Sequence, residues 1–168
     1  MEFMIRNEES KDLEQVREIM RATFPTEAES KLVDALRTND KAIISLVAMN
    51  DDQVLGHILF SPVTTSPSSA AKGIGRAPVA VRPETQAQGI GSGLIREGLR
   101  LCKALGYDYC VVLGIPKYYQ CFGFGKASYF GLQNGYGVDN EFMVIHFSKR
   151  ELAHGLVRYA SEFALFSV

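Results

Sequence analysis

The chain has 168 residues, 18 basic and 19 acidic side chains, and a formal net charge of -1. Hydrophobic residues make up 46% and charged residues 22%, a globular composition that excludes a disordered chain. The near-zero charge argues against a general nucleic-acid binder, and the length predicts one domain over residues 1–168.

Residues 3–7 read as a first strand. Ser10 is the expected N-cap of a helix in which Leu13, Val16, Ile19 and Met20 recur at helical spacing. Pro25 ends that stretch, and Thr26 with Glu29 fits a capping box. The second helix carries Leu32, Val33 and Leu36 on its apolar face and runs to about Thr38. Residues 42–49 and 54–64 are β-rich and flank Asn50, Asp51 and Asp52, which predicts a hairpin. In its second strand Ile58 and Phe60 face one way, and Leu55 and Leu59 the other. That pattern suits a sheet interior covered on both sides.

Residues 65–73 are small and polar, hence a loop, and residues 74–81 form another strand stopped by Arg82, Pro83 and Glu84. The clearest helix follows, with Ile90, Leu94, Gly98, Leu101, Cys102 and Leu105 on one stripe and Gly106 closing it. Residues 109–113 are a short buried strand, and residues 115–122 a short helix opened by Pro116. Residues 142–147 are a last strand, and the tail over residues 148–168 is mixed. The expected fold class is a mixed α/β sheet.

Cys102, Cys110 and Cys121 are odd in number and lack CxxC spacing, so they read as reduced thiols. The N-terminal residues lack the basic and then apolar regions of a secretion signal. No apolar run approaches the ~20 residues of a membrane span. A cytoplasmic location and no membrane partner are expected.

One segment concentrates functional information. A strand ending in Val79, Ala80 and Val81 runs through Gln86, Ala87 and Gln88 into Gly89, Ile90, Gly91, Ser92 and Gly93, which open the long helix. Glycines there admit a ligand close to the backbone, and the first amides of a helix attract anions. A P-loop is excluded because no Lys follows the glycines. The dinucleotide pattern Gly-x-Gly-x-x-Gly also fails, since its last position falls on Leu94 or Arg96. What remains is Gln-x-x-Gly-x-Gly, met by Gln86, Gly89 and Gly91. Close helix–sheet packing is the alternative reading of such a turn. Past the next strand, Tyr119 precedes the pair Gly123-Phe124 at the end of a short helix.

Together these two motifs resemble the GCN5-related N-acetyltransferase (GNAT) family. The hairpin residues Gly56, His57, Ile58, Leu59, Phe60, Ser61, Pro62 and Val63 and the run Val157-Arg158-Tyr159 are similar to its bacterial single-domain branch. The resemblance extends over nearly the whole chain. It implies a mostly antiparallel, twisted sheet flanked by helices, and acyl transfer from acetyl-CoA to a primary amine of a small molecule or protein, without a metal. It further implies that the backbone of Val79, Ala80 and Val81 pairs with the pantetheine arm. By the same resemblance, the amides of Ala87, Gln88, Gly89, Ile90, Gly91 and Ser92 hold the pyrophosphate, an amide near Val81 stabilises the oxyanion, and Tyr119 is the general acid. An aromatic packing role is the alternative for Tyr119, and the expected one for Tyr118. Family members are often dimers, so a homodimer is compatible with the resemblance.

The general base is not marked. Many relatives carry a glutamate on the strand after the long helix; here that strand is Cys110, Val111, Val112, Leu113 and Gly114. An asparagine common at the next helix start is replaced by Pro116 and Lys117. His57, Glu29, Glu27 and a water relay are the candidates. A hydrogen-bonded sheet role is favoured for His57, a capping role for Glu29, and a solvated turn position for Glu84. Cys121 lacks a His partner for nucleophilic work, and His146 and His154 lack a ligand pattern for a metal. Tyr129, Phe130, Tyr136 and Phe142 read as packing residues or as a wall of the acceptor pocket. That pocket is expected from residues 25–34 and 128–140, and the sequence leaves the acceptor amine unidentified. The missing strand carboxylate keeps a second reading open, a catalytically idle acyl-CoA-binding or sensing module. A third keeps the fold but uses a longer acyl-CoA.

Overall fold

Apolar residues on both faces of its central strands build the sheet. The structure, a computed structural model, describes residues 2–149 and 152–166. In chain order the elements are β1 (Met4–Asn7), α1 (Leu13–Thr23), α2 (Ala28–Thr38), β2 (Ile44–Asn50), β3 (Gln53–Ser66), β4 (Gly73–Val81) and α3 (Ile90–Ala104). Then follow β5 (Tyr109–Leu113), α4 (Pro116–Tyr119), β6 (Gly125–Lys126), β7 (Leu132–Gln133), β8 (Phe142–His146), β9 (Gly155–Arg158) and α5 (Glu162–Leu165). Of the tail read as mixed, residues 150, 151, 167 and 168 lie outside the described residues. Two compact units share the chain, one of residues 1–61, 77–99 and 161–168, the other of 62–76 and 100–160.

In the first unit the strand order is β1-β2-β3-β4. β1 runs antiparallel to β2, and β2 antiparallel to β3 through a tight turn in which Asp51 takes a φ of 50°. Residues on both faces of β3 are buried: Leu55 and Leu59 on one, Ile58 and Phe60 on the other. Val16, Ile19 and Met20 of α1 and Leu32, Val33 and Leu36 of α2 are buried. Burying each such aliphatic side chain is worth ~1.5–3 kcal/mol. Arg17 of α1 pairs with Asp34 of α2 (3.2 Å), tying the two helices, and Arg37 pairs with the same carboxylate within α2 (2.8 Å). Glu162 of α5 accepts from Lys41 (2.8 Å) and Asn39 (2.6 Å), which fixes α5 beside the end of α2. That short helix lacked any sequence signal.

Three local expectations differ from what is observed. Glu9, not Ser10, precedes the first helical turn, because the Asp12 carboxylate takes the Glu9 amide (2.7 Å) and is itself held by Arg6. The Thr26–Glu29 capping box does not form. Thr26 Oγ1 accepts from Ala28 N–H (3.2 Å), so the hydroxyl closes a local turn and α2 starts later than the box requires. On α3 the expected residues Ile90, Leu94, Gly98 and Cys102 are buried, joined by Ile95 and Leu99, whereas Leu101 is half-buried and Leu105 is 51% exposed beyond the helix end. Leu105 departs from the expectation because α3 ends at Ala104, and Gly98 lies under the Phe60 ring, where a β-carbon would overlap ring atoms.

In the second unit β4 pairs with β5 in parallel, β8 joins β5 antiparallel, and β6 lies against β8. β9 pairs with the end of β3 and with β7. Its core holds Val63, Tyr109, Val111, Leu132, Phe142, Val144 and Val157, with Tyr159 packed against it. The result is a mixed α/β fold with a mostly antiparallel sheet and flanking helices, as expected.

Candidate active site

The predicted site residues fall into two groups, each with its own local geometry. The first is the exit of β4. Val79 and Val81 are half-buried and Ala80 is buried. The strand's end is pinned by Arg82, whose amide donates to the Leu55 carbonyl (2.7 Å). Its guanidinium donates to the Val54 carbonyl (2.9 Å) and pairs with Glu18 (3.0 Å). The side chain of Gln86 donates to the Val81 carbonyl (3.2 Å), so the motif glutamine braces the turn onto the strand.

Beyond it the backbone enters the left-handed region at Ala87 (φ 64°) and Gly89 (φ 84°). A non-glycine residue there carries local strain, and such strain is often found at ligand-binding turns. Residues 86–89 are exposed, and space beside Gly89 is open. The first intrahelical bond of α3 runs from Gly93 N–H to the Gly89 carbonyl (2.9 Å). The amides of Ile90, Gly91 and Ser92 therefore sit in the opening turn, at the positive end of a 15-residue helix. Helix starts of this kind attract small anions without any basic side chain.

The second group centres on Tyr119. Pro116 opens α4, and Gly123, with a φ of 98°, ends the turn that follows. The Tyr119 ring is 6% exposed, edge-on to Phe124 (5.6 Å) and to Tyr118 (5.1 Å). Its hydroxyl accepts from Arg76 Nη2 at 2.5 Å. Burial raises the phenol above its ordinary range, and the Arg76 charge opposes that shift. The hydroxyl is thus protonated at neutral pH and keeps its own proton for another acceptor. Arg76 was missed in sequence reading; its only signal was a lone cation inside an otherwise apolar strand.

The base candidates separate clearly. His57 is fully buried, and its Nε2 shares a 2.8 Å hydrogen bond with Ser45 Oγ. Desolvation lowers the imidazole to about 4, against the pull of Glu8 and with the help of Arg37. This is the hydrogen-bonded sheet role favoured for it. Glu27 is exposed and pairs with Arg21 at 3.5 Å. Glu29 does not cap α2, and its Oε2 is buried with no partner among the described residues.

Other expectations resolve by burial. Cys121 is exposed, its thiol turned to the Lys117 carbonyl (3.6 Å). His146 packs between Tyr109 and Phe130. No cluster of His, Cys, Asp or Glu suited to a metal occurs among the described residues. No helix of the described chain is long and apolar enough to cross a membrane. Phe142 is core, whereas Tyr129, Phe130 and Tyr136 are exposed.

The chain and its fold have counterparts among known proteins. The acetyltransferase (GNAT) domain family matches residues 4–127. The chain belongs to the GNAT acetyltransferases. One relative of this GNAT chain, the uncharacterized N-acetyltransferase YhbS of Escherichia coli strain K12, is 34% identical over 98% of the chain and all of its own length. The crystal structure of YhbS from Escherichia coli in complex with CoA has a TM-score of 0.88 at 32% identity, covering 96% of this chain and 92% of that one. A GNAT family acetyltransferase from Brucella melitensis in complex with acetyl-CoA gives 0.82 at 35% identity, covering 96% and 98%.

Proposed function

We propose that residues 1–168 act as one acyltransferase domain that uses acetyl-CoA and acetylates a primary amine of a small molecule or protein by direct attack. The observation that carries the chemistry is the buried Tyr119 hydroxyl, protonated and already accepting from Arg76. The relatives in complex with CoA and acetyl-CoA support the choice of donor. The donor brings a thioester carbonyl open to attack and a thiolate leaving group.

The protein's part follows from its own groups. The backbone of Val79, Ala80 and Val81 pairs with the pantetheine arm, as an added strand would. The exposed turn at Ala87, Gln88 and Gly89 and the amides of Ile90, Gly91 and Ser92 hold the pyrophosphate. An amide near Val81 stabilises the oxyanion formed when the amine adds to the carbonyl. Tyr119 gives its O–H proton to the sulfur as the C–S bond breaks, leaving a phenolate that water reprotonates. Glu29, directly or through water, takes the proton that the amine must lose. Its buried, unpartnered oxygen favours it over Glu27, which is exposed and pairs with Arg21, and over His57, whose Nδ1 is also unpartnered but whose fully buried ring is held at Nε2 by Ser45 and lowered to about 4 by desolvation.

Tyr119→Phe tests the assignment. With acetyl-CoA and a panel of primary amines, turnover at neutral pH is expected to fall roughly 100-fold or more. Acetyl-CoA affinity, measured by calorimetry, should hardly change. Full turnover in the variant would remove Tyr119 from the acid role. Tight donor binding by the wild type with no transfer to any amine would instead favour an idle binding module, which the carboxylate-free β5 allows. Faster turnover with longer acyl chains would reassign the donor.

A further inference from the structure

Arg76 is an expensive residue where it stands. It lies in β4, is 9% exposed, and forms no ion pair with any carboxylate among the described residues. Its Nε is buried and unpartnered. The bonds it donates go from Nη2 to the Tyr119 hydroxyl (2.5 Å) and to the Leu113 carbonyl (3.3 Å). Its guanidinium carbon also lies 5.2 Å from the centre of the Tyr119 ring. Burying a cation without a counter-charge costs stability, and a purely structural site would be served better by an apolar side chain. The arrangement is explained if the counter-charge appears only during the reaction.

We infer that Arg76 is a positioning residue that holds the Tyr119 hydroxyl and supplies the positive charge for the phenolate left when Tyr119 gives up its proton. The inference rests on the general-acid reading of Tyr119. Nη2 donates to the hydroxyl oxygen, so the phenolic hydrogen must point away from Arg76 toward its acceptor. The Leu113 carbonyl fixes the same nitrogen at the end of β5. When the O–H bond breaks, the acceptor of the guanidinium's hydrogen bond turns from a neutral oxygen into an anion, so the bond becomes an ion pair that is strongest in the product of proton transfer. The other titratable groups near this pair are Tyr118 on α4, Cys110 on β5 and Tyr159 after β9. All three disfavour the phenolate or leave it unhelped, so the favourable charge comes from Arg76.

The test combines kinetics with a direct view of the phenol. Arg76→Gln is expected to lower kcat with acetyl-CoA and the amine panel roughly 10- to 100-fold, with KM for acetyl-CoA nearly unchanged. Arg76→Lys should recover part of that loss. Arg76→Gln added to Tyr119→Phe should cost little more than Tyr119→Phe alone. Independently of any acceptor, the phenolate absorbance lost in Tyr119→Phe identifies the Tyr119 ionisation. It should move to higher pH in Arg76→Gln and Arg76→Lys should move it back. An ionisation at the same pH in wild type and Arg76→Gln would overturn the role of Arg76. So would an equal kcat loss from Arg76→Gln with and without the Tyr119 hydroxyl. Full turnover in Tyr119→Phe would instead remove the general-acid reading, while the absorbance result would still report on the Arg76–Tyr119 pair. Should Arg76→Gln fold poorly, Arg76→Met, which also removes the charge, carries the same comparison.

Discussion

Gly114 has no side chain where the ring of Tyr119 lies: a β-carbon there would overlap the ring carbons Cε2 and Cδ2. Gly114 closes β5, its amide donating to the Glu141 carbonyl (2.9 Å), so its backbone is not free to yield. The ring must move instead, and with it the hydroxyl that meets Arg76. Gly114→Ala is therefore expected to cost ~1–3 kcal/mol of stability from overpacking. It should also lower kcat at least tenfold, since misplacement of about an ångström is enough for that. Acetyl-CoA affinity, measured by calorimetry, should stay close to wild type. Unchanged kcat in a folded Gly114→Ala protein would show that the ring position is not critical.

Gly89 gives the complementary case. Its φ of 84° is left-handed, yet an added β-carbon would meet nothing within 4 Å. Gly89→Ala thus tests backbone conformation without a packing clash. The expected stability loss is small, ~1 kcal/mol. The expected loss of acetyl-CoA affinity is larger, because the turn that presents the Ile90, Gly91 and Ser92 amides must distort. Calorimetric titration measures it, and an unaltered Kd would detach the pyrophosphate from this turn.

The strands, the long helix and the glycine turn were legible because each writes a local pattern: apolar residues on both faces of β3, helical spacing in α3, and a glycine at Gly89 that no core packing requires. Tyr119 was legible through its spacing from Gly123 and Phe124. Arg76 was not, because its meaning comes from a tyrosine 43 residues away, brought to it by the pairing of β4 with β5. The helix caps were misread for a related reason. Arg6 reaches Asp12 (2.7 Å) and so selects Glu9 over Ser10, and no window around Ser10 contains that choice. On α3 the expected stripe ran one residue past the helix, to Leu105, because spacing alone does not mark the end at Ala104.

His57 makes the fold sensitive to mild acid. Its imidazole titrates at about 4 in the folded chain against an ordinary 6.5. Between those values the unfolded chain binds the proton and the folded chain does not. The stabilisation is complete above pH 6.5 and is lost as pH falls toward 4. Its upper size is on the order of 3 kcal/mol. Glu162, held near 2 chiefly by its hydrogen bond to Lys41, adds a separate loss below its ordinary value of 4.5. Urea unfolding of wild type and His57→Gln at pH 7 and pH 5 separates the two. The wild type should lose more stability than the variant between those points, and parallel losses would mean that His57 carries none of it.

Glu29 bears on how the amine becomes reactive. A primary alkylamine with an ordinary pKa of ~10.4 is almost all ammonium at neutral pH. It must be deprotonated before or during attack, and β5 offers no carboxylate for that task. Glu29 stands at the start of α2 with one oxygen buried and unpartnered, while Glu27 is paired with Arg21 and His57, bonded to Ser45 at Nε2 and with Nδ1 unpartnered, is fully buried and lowered to about 4 by desolvation. Glu29→Gln keeps the shape and removes the base. It is expected to lower kcat/KM roughly tenfold or more at pH 7 while leaving acetyl-CoA affinity intact. The sign of the pH effect distinguishes a base from a mere contact. As pH rises toward the amine's own pKa, solvent supplies the neutral nucleophile and the deficit should shrink. A contact that only orients the amine would leave a deficit of constant size at every pH. The pH profile of kcat/KM for wild type and variant on one amine decides between these two, and matching rates throughout would return the base to a water relay.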